Sequence, residues 1–169
     1  MRFLFICLFV LLSLAACATA PVIGPHFTSL SAQPEDKANI YILRPHVDFG
    51  RAVWPNILFN KTKVAALPDS TYTMFRASPG AYSISTERTQ LISGGWDIKG
   101  DIRVVAGKAY FLVLTRKTKE VSLLIPAGRG FFPVAATDVA WEGWVPLDPR
   151  DAPQALAELS FVQPTVESL

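Results

Sequence analysis

The chain is poor in the residues that most often carry chemistry. Its 169 residues include two histidines, His26 and His46, and two cysteines, Cys7 and Cys17. A zinc site needs three or four converging ligands, and no His/Cys spacing of that kind occurs, so no metal site is expected. A nucleophile–base pair needs a histidine held in place by an orienting group. His26 lies in a small-residue, proline-containing stretch with nothing to orient it. His46, with Asp48 two residues on, is the one conceivable His–carboxylate pair, and a surface-loop histidine is the simpler reading. Neither Gly94-Gly95 nor Gly128-Arg129-Gly130 has the G-x-x-x-x-G-K or G-x-G-x-x-G pattern that cradles a phosphate. Paired carboxylates for glycoside hydrolysis can be distant in sequence, but here Asp and Glu are scattered without a motif. No catalytic residue and no cofactor is assigned.

Charge of one sign is also lacking. Lys and Arg number 16 against 14 Asp and Glu, so no basic surplus exists for a phosphate backbone, and a nucleic-acid partner is not expected. Beyond the N-terminus no apolar run reaches the roughly 18 residues of a membrane helix. There is no internal repeat and no low-complexity tract.

What is present begins at the N-terminus. Arg2 is the only Lys, Arg, Asp or Glu before Glu35, and Phe3 to Leu12 is an unbroken apolar run. That run has the length of a signal-peptide core and is too short to span a bilayer comfortably. Ser13-Leu14-Ala15-Ala16-Cys17 follows. Leu-Ala-Ala directly before a cysteine resembles the lipobox of bacterial lipoproteins. The resemblance implies cleavage before Cys17, a diacylglyceryl thioether on its sulfur and a further acyl chain on the new amino group. Each buried CH2 contributes ~0.8 kcal/mol, so two or three chains hold the protein to a membrane where one would not. Ala18 stands where Asp resembles an inner-membrane retention signal in enterobacteria, which favours the periplasmic face of the outer membrane. An ordinary secretory signal with a chance cysteine and an uncleaved anchor are the competing readings. The agreement of basic start, apolar core and small-residue box favours the lipoprotein.

On this reading residues 1–16 are a signal peptide, 17–36 a flexible tether, and 37–169 a single β-rich domain. Removing the first 16 of 169 residues leaves 153, a length suited to one domain with its own core. Cys7 leaves with the leader and Cys17 is acylated, so the mature chain is expected to have no disulfide.

From Ala38 onward short apolar runs alternate with turn residues. Ala38–Arg44 is rich in branched and aromatic residues and stops at Pro45, as a strand would. Trp54–Phe59 and Lys63–Leu67 flank a turn at Asn60-Lys61-Thr62, and Pro68-Asp69-Ser70 makes the next. Tyr72–Arg76 follows, then Ser78-Pro79-Gly80. The period of two is clearest at Tyr82, Ile84 and Thr86, and again at Ile102, Val104 and Ala106, as in half-buried antiparallel strands. Gly107-Lys108 is a turn. Ala109–Leu114 is apolar on both faces, as a central strand would be, and Val121, Leu123 and Ile125 alternate again. One segment reads as a helix: Asp151 as cap, Gln154 three residues on, and Ala152, Ala155, Leu156 and Leu159 on one face. These signals predict a mainly-β fold, an antiparallel sandwich or open barrel of about 7–9 short strands with one C-terminal helix.

The stretch Lys37–Pro45, followed by Leu58-Phe59-Asn60, the strand ending near Leu67, the aromatic strand at Tyr72, Ser78-Pro79-Gly80-Ala81-Tyr82 and Val105–Phe111, resembles the domain of unknown function 2846 family in order and spacing. Asn60-Lys61 departs from the Asn-Gly or Asp-Gly of that family, which puts a two-residue type I′ turn there in question. The stretch from Leu91 to Lys99 also looks longer than the family's. The resemblance implies a small β-rich envelope lipoprotein and supplies no activity.

Binding is better supported than catalysis. Trp54, Trp96, Trp141 and Trp144 lie in or beside turn-rich segments, and an exposed indole can stack on a sugar ring or anchor a protein partner. The competing reading is that they plug the ends of the core. Trp141 and Trp144 are the candidate binding residues. Gly128–Pro133, with Phe131 and Phe132, reads as an interaction loop or, more simply, as a bent strand start. Arg44 is expected to pair structurally with a carboxylate rather than hold an anionic ligand. Two functional readings follow: a non-catalytic envelope lipoprotein serving as an interaction or accessory module for an envelope protein, or a glycan-binding or glycan-acting domain for peptidoglycan or lipopolysaccharide.

Overall fold

The computed structural model describes residues 21–47, 51, 54–87, 98–127 and 130–169, with side chains described outside 116–142. The expected signal peptide and Cys17 lie outside the described residues, as do Asp48, Gly94-Gly95, Trp96 and the side chain of Trp141. The strands are β1 (Ile23–His26), β2 (Ala38–Arg44), β3 (Asn56–Phe59), β4 (Thr62–Ala66), β5 (Thr71–Ala77), β6 (Gly80–Glu87), β7 (Lys99–Val104), β8 (Ala109–Ala127), β9 (Gly130–Pro146) and β10 (Ser160–Val162), with one helix, α1 (Ala152–Ala157), between β9 and β10.

The strands form a six-stranded sheet, β1-β10-β5-β2-β8-β9, and a four-stranded sheet, β4-β3-β6-β7. A mainly-β sandwich with one late helix is therefore what the chain forms. Three details differ from the sequence-based expectation. The described residues hold ten strands where about 7–9 are expected, because β1 and β10 extend one side of the larger sheet. Two strands are long, with 19 residues in β8 and 17 in β9, and β8 takes in both Ala109–Leu114 and the alternating run from Val121. The larger sheet is mixed: β2 runs parallel to β8, and β10 parallel to β5. Parallel neighbours cannot be joined by a tight turn and need a long crossover. Here the chain between β2 and β8 forms the whole four-stranded sheet, returning once to the larger sheet as β5.

β2 is buried along its entire length. Its alternate residues feed two separate cores, as the two-residue period of a strand requires. Ala38, Ile40 and Ile42 join Ile57, Phe59, Val64 and Phe75 between the sheets. Tyr41 and Leu43 join Phe111, Tyr72 and the α1 face on the other side. Ring pairs reinforce both cores: Phe59 and Phe75 meet edge-on at 4.9 Å, and Tyr41 stacks on Phe111 at 4.9 Å. Such pairs contribute about 0.5–1.5 kcal/mol beyond their buried area. Burial first, and then neighbouring Tyr41, hold the Tyr72 phenol above its ordinary pKa.

α1 is short, and its expected capping box is not made. Asp151 has helical dihedrals and no side-chain capping bond. What fixes the helix is its apolar face, with Ala152, Leu156 and Leu159 buried in the second core, the spacing that the sequence predicts.

The stretch expected as tether contributes to the fold from Ile23 onward. β1 pairs with β10, and Phe27 packs edge-on against Tyr72 at 6.0 Å. The fully buried Asn39 donates from Nδ2 to the carbonyls of Ser31 and Ala32 at 3.2 and 3.1 Å. Small, proline-bearing composition suggests a linker, but a short strand needs only a free sheet edge to pair with, and β10 supplies it.

The β3–β4 hairpin turns on Asn60 (φ 46°) and Lys61 (φ 68°). Two consecutive left-handed residues are the type I′ signature, so this turn forms without the glycine. Asn60 tolerates the conformation and locks it, its Oδ1 accepting from the Ser83 amide at 2.8 Å. Lys61 carries the strain of a β-carbon at positive φ. Lys61→Gly is therefore expected to raise stability by about 0.5 kcal/mol, the relief exceeding the unfolded-state entropy that glycine adds. Lys61→Val is expected to lower it by about 1 kcal/mol or more. Urea unfolding midpoints check both directions.

Candidate functional site

At one side of the sandwich the two sheets part. β7, the outer strand of the smaller sheet, stands across from the start of β8 and the end of β9, leaving a cleft of about 530 Å³. Its walls are mostly apolar: Ile84 and Ile102 from the smaller sheet, Phe111 and Leu112 from β8, and Pro146 and Leu147 at the end of β9. Tyr110 and Trp144 complete the lining, and Lys99, Asp101 and Arg103 border it. The volume falls within the roughly 300–1,000 Å³ of small-ligand pockets.

Local structure explains each placement. β7 alternates, with Lys99, Asp101 and Arg103 exposed and Gly100 and Ile102 half-buried. Trp144 reaches the cleft through a β-bulge. Thr115 pairs with Gly143 while Arg116 pairs with Trp141, so Glu142 is the extra residue. Gly143 takes φ 150°, a conformation suited to glycine. The bulge changes the parity of β9: residues three apart belong on opposite faces of a regular strand, yet the Trp141 and Trp144 positions register with Arg116 and Leu114, two apart on β8.

Gly100 makes room for the indole. A β-carbon there would lie 3.0 Å from Trp144 Cδ1. The Trp144 Nε1–H is buried and has no hydrogen-bond acceptor among the described residues. The Leu147 amide donates to the Phe111 carbonyl at 2.9 Å, and the Tyr110 hydroxyl accepts from the Val105 amide at 2.9 Å, holding both ends of the wall. Below Pro149, Arg150 grips Asp148 with two bonds of 2.7 and 3.0 Å, and the guanidinium holds that carboxyl below its usual pKa.

A second cluster sits at the Arg44 end of the larger sheet. His46 Nδ1 lies 2.7 Å from Asp69 Oδ2 and 3.3 Å from Ser70 Oγ, and the Val47 amide donates to Asp69 Oδ1 at 3.0 Å. The carboxylate that meets His46 thus comes from the Pro68–Ser70 turn. The three residue types of a hydrolytic triad are present, but wired differently. In a triad the acid holds one ring nitrogen and the nucleophile the other; here both approach Nδ1. The cluster reads as a brace between the end of β2 and the turn before β5. Arg44 itself is fully buried and donates from Nη1 to the backbone carbonyl of Leu67 at 2.5 Å.

Among the described residues no group of three or more His, Cys, Asp or Glu is placed to hold a metal ion. Of the candidate residues, Trp144 lines the cleft and Trp54 is half-buried on the approach to β3. Phe131 and Phe132 lie at the start of β9, so that segment is strand rather than loop. Sequence reasoning missed Gly100, Ile102 and Tyr110. Gly100 did carry a signal, since a glycine inside an alternating strand often marks a close approach by another group.

Residues 34–126 match the family model described as protein of unknown function (DUF2846). The chain belongs to this family. The DUF2846 segment covers β2 to β7 and nearly all of β8, and so includes the two-faced central strand and one wall of the cleft. Trp144, Pro146 and α1 lie beyond its end. No curated protein and no solved structure matches the chain.

The shared ring nitrogen makes a prediction. An activated serine is trapped by fluorophosphonates, whereas Ser70 lacks a base at the correct nitrogen. Intact-mass measurement after incubation with such a probe is expected to show no adduct. An adduct lost in Ser70→Ala would show a working nucleophile.

Proposed function

We propose that this DUF2846 protein is an envelope lipoprotein, anchored by lipid on Cys17 at the periplasmic face of the outer membrane, whose β-domain is a non-catalytic interaction module. The cleft beside β7 is where it engages a partner. One observation carries this reading: the cleft is mostly apolar, holds an indole whose buried N–H has no acceptor among the described residues, and opens beside an edge strand.

Those features fit an extended segment of an envelope protein. Among the described residues no strand pairs with the outer edge of β7, and extended peptides add to such edges through backbone hydrogen bonds while side chains fill adjacent pockets. An apolar side chain entering between Ile102 and Trp144 would bury against both. A carbonyl beside it would meet the Trp144 N–H, removing a penalty of about 1–3 kcal/mol for a buried unpaired donor. The charges of Lys99, Asp101 and Arg103 guard the edge against indiscriminate pairing, a common device on exposed strands.

The glycan reading shares Trp144 but fits the lining less well. Sugars present hydroxyls around the ring and require several placed polar partners, whereas Ile, Leu, Phe and Pro dominate these walls.

Two experiments test the proposal. Palmitate labelling in cells is expected for the wild type and absent from Cys17→Ser; equal labelling of both ends the lipoprotein reading. For the cleft, a photo-reactive amino acid at position 103 is expected to yield a discrete crosslink to an envelope protein. Gly100→Val, whose side chain crowds Trp144, is expected to reduce that crosslink about tenfold while preserving the circular dichroism spectrum. Crosslinking unchanged by Gly100→Val, or sedimentation with purified peptidoglycan that is lost in Trp144→Ala, overturns this reading in favour of another site or of the glycan.

A further inference from the structure

The hydrogen bonds of β6 fix which backbone groups β7 has to spare. Successive residues of a strand aim their N–H and C=O groups at opposite edges, so one bond sets the phase for the rest. The Asn60 amide donates to the Ser83 carbonyl at 2.9 Å, so the odd-numbered residues of β6 bond toward β3. The Thr86 amide donates to the Ile98 carbonyl at 3.0 Å, so the even-numbered ones bond toward β7. Tyr82 lies opposite Ile102, and Ile84 opposite Gly100. Gly100 and Ile102 therefore bond inward to β6. The amides and carbonyls of Lys99, Asp101 and Arg103 point to the outer edge.

The side chains divide by the same parity, above and below the sheet. Gly100 and Ile102 are half-buried in the cleft wall, while Asp101 and Arg103 are exposed on the opposite face. Across on β6, Asp101 stands opposite Ser83 and Arg103 opposite Ala81. Neither neighbour is charged, so a cross-strand ion pair for either residue has to come from the outer side.

We infer that the segment engaged at this edge carries, in order, an acidic, an apolar, a basic and a large apolar residue, and runs antiparallel to β7. The inference rests on the cleft being a peptide site and adds the chemistry of that peptide. Antiparallel pairing is slightly the more stable per residue. A strand so added bonds to the outward backbone groups of Asp101 and Arg103, and its residues opposite them share their solvent face. A basic residue opposite Asp101 and an acidic one opposite Arg103 attract across the strands, whereas like charges in either place repel. The residues opposite Gly100 and Ile102 occupy the closer, non-hydrogen-bonded positions and aim into the cleft. Opposite Ile102 an apolar side chain completes a cross-strand pair. Opposite Gly100 no β7 side chain competes, and a large apolar group lies along the Trp144 indole instead.

Fluorescence anisotropy of short labelled peptides with the full chain, purified in mild detergent, is the test. One peptide is centred on Glu-Val-Lys-Phe and a second on Lys-Val-Glu-Phe. A third, centred on Glu-Lys-Val-Phe, keeps the composition and breaks the alternation. The first is expected to bind about tenfold more tightly than either of the others, since each change sets like charges opposite or turns a charge into the cleft. In the exchange variant, Asp101→Arg with Arg103→Asp, the preference between the first two is expected to reverse, and a reversal cannot arise from misfolding. Equal affinity for the first peptide and either of the others overturns the inference. So does an exchange variant that keeps the wild-type preference, or binding of no peptide at all. Where such a failure accompanies an envelope-protein crosslink that Gly100→Val removes, the cleft reading stands and only the peptide chemistry falls; without that crosslink both fall.

Discussion

The structure depends on a single strand being buried from both sides. β2 lies between β5 and β8 and exposes none of its seven residues. Its odd and even positions serve different cores, so a slip of one residue would exchange the contents of both. That constraint explains the residue choice: medium-sized apolar groups toward the second sheet, and Tyr41 and Leu43 toward the helix. Asn39 and Arg44, fully buried, complete the strand, and each donates from its side chain to neighbouring backbone. Asn39 holds the segment leading in from β1, and Arg44 holds the chain before β5.

From that strand the remainder follows. Because β2 and β8 are parallel, the intervening chain must cross over, and besides β5 it builds the second sheet on the way. The crossover returns to the first sheet by way of β7, which leaves β7 as an outer strand facing the base of the β8–β9 hairpin. The cleft is therefore a product of the topology rather than of any one loop. Gly100 and the bulge at Glu142-Gly143 refine it, the first by omitting a side chain and the second by resetting the parity of β9 so that Trp144 meets Gly100. Both are single-residue devices at the edge of a sheet, where ladder pairing is least demanding.

The site was half legible in the sequence. Trp144 stood out because an indole near turn residues is unusual and energetically large. The strands that surround it were also visible, through their period of two. Their pairing was not, since β7 and β9 lie some forty residues apart and nothing local to either specifies the other. His46 shows the same limit. A pair with its near neighbour Asp48 was conceivable and a surface-loop histidine the simpler reading; Asp48 lies outside the described residues, and the carboxylate at 2.7 Å is that of Asp69, brought over by the β2–β5 ladder. The Asn60-Lys61 turn erred in the opposite direction: the rule that favours glycine is real, but a bond from Ser83 to Asn60 on a neighbouring strand offsets the local cost.

Taken alone, the sequence determined what short-range physics governs. Alternation set the strands, turn chemistry their ends, and i, i+3, i+4 spacing the buried face of α1; together they fixed a mainly-β domain in a recognisable family order. Tertiary structure alone decided which strands are neighbours, that the larger sheet is mixed, that the N-terminal stretch from Ile23 joins it, and that a cleft opens beside β7. These are contacts between residues far apart in the chain, chosen by which apolar faces can be buried together. No single segment encodes that choice, because each face is equally apolar whichever partner covers it.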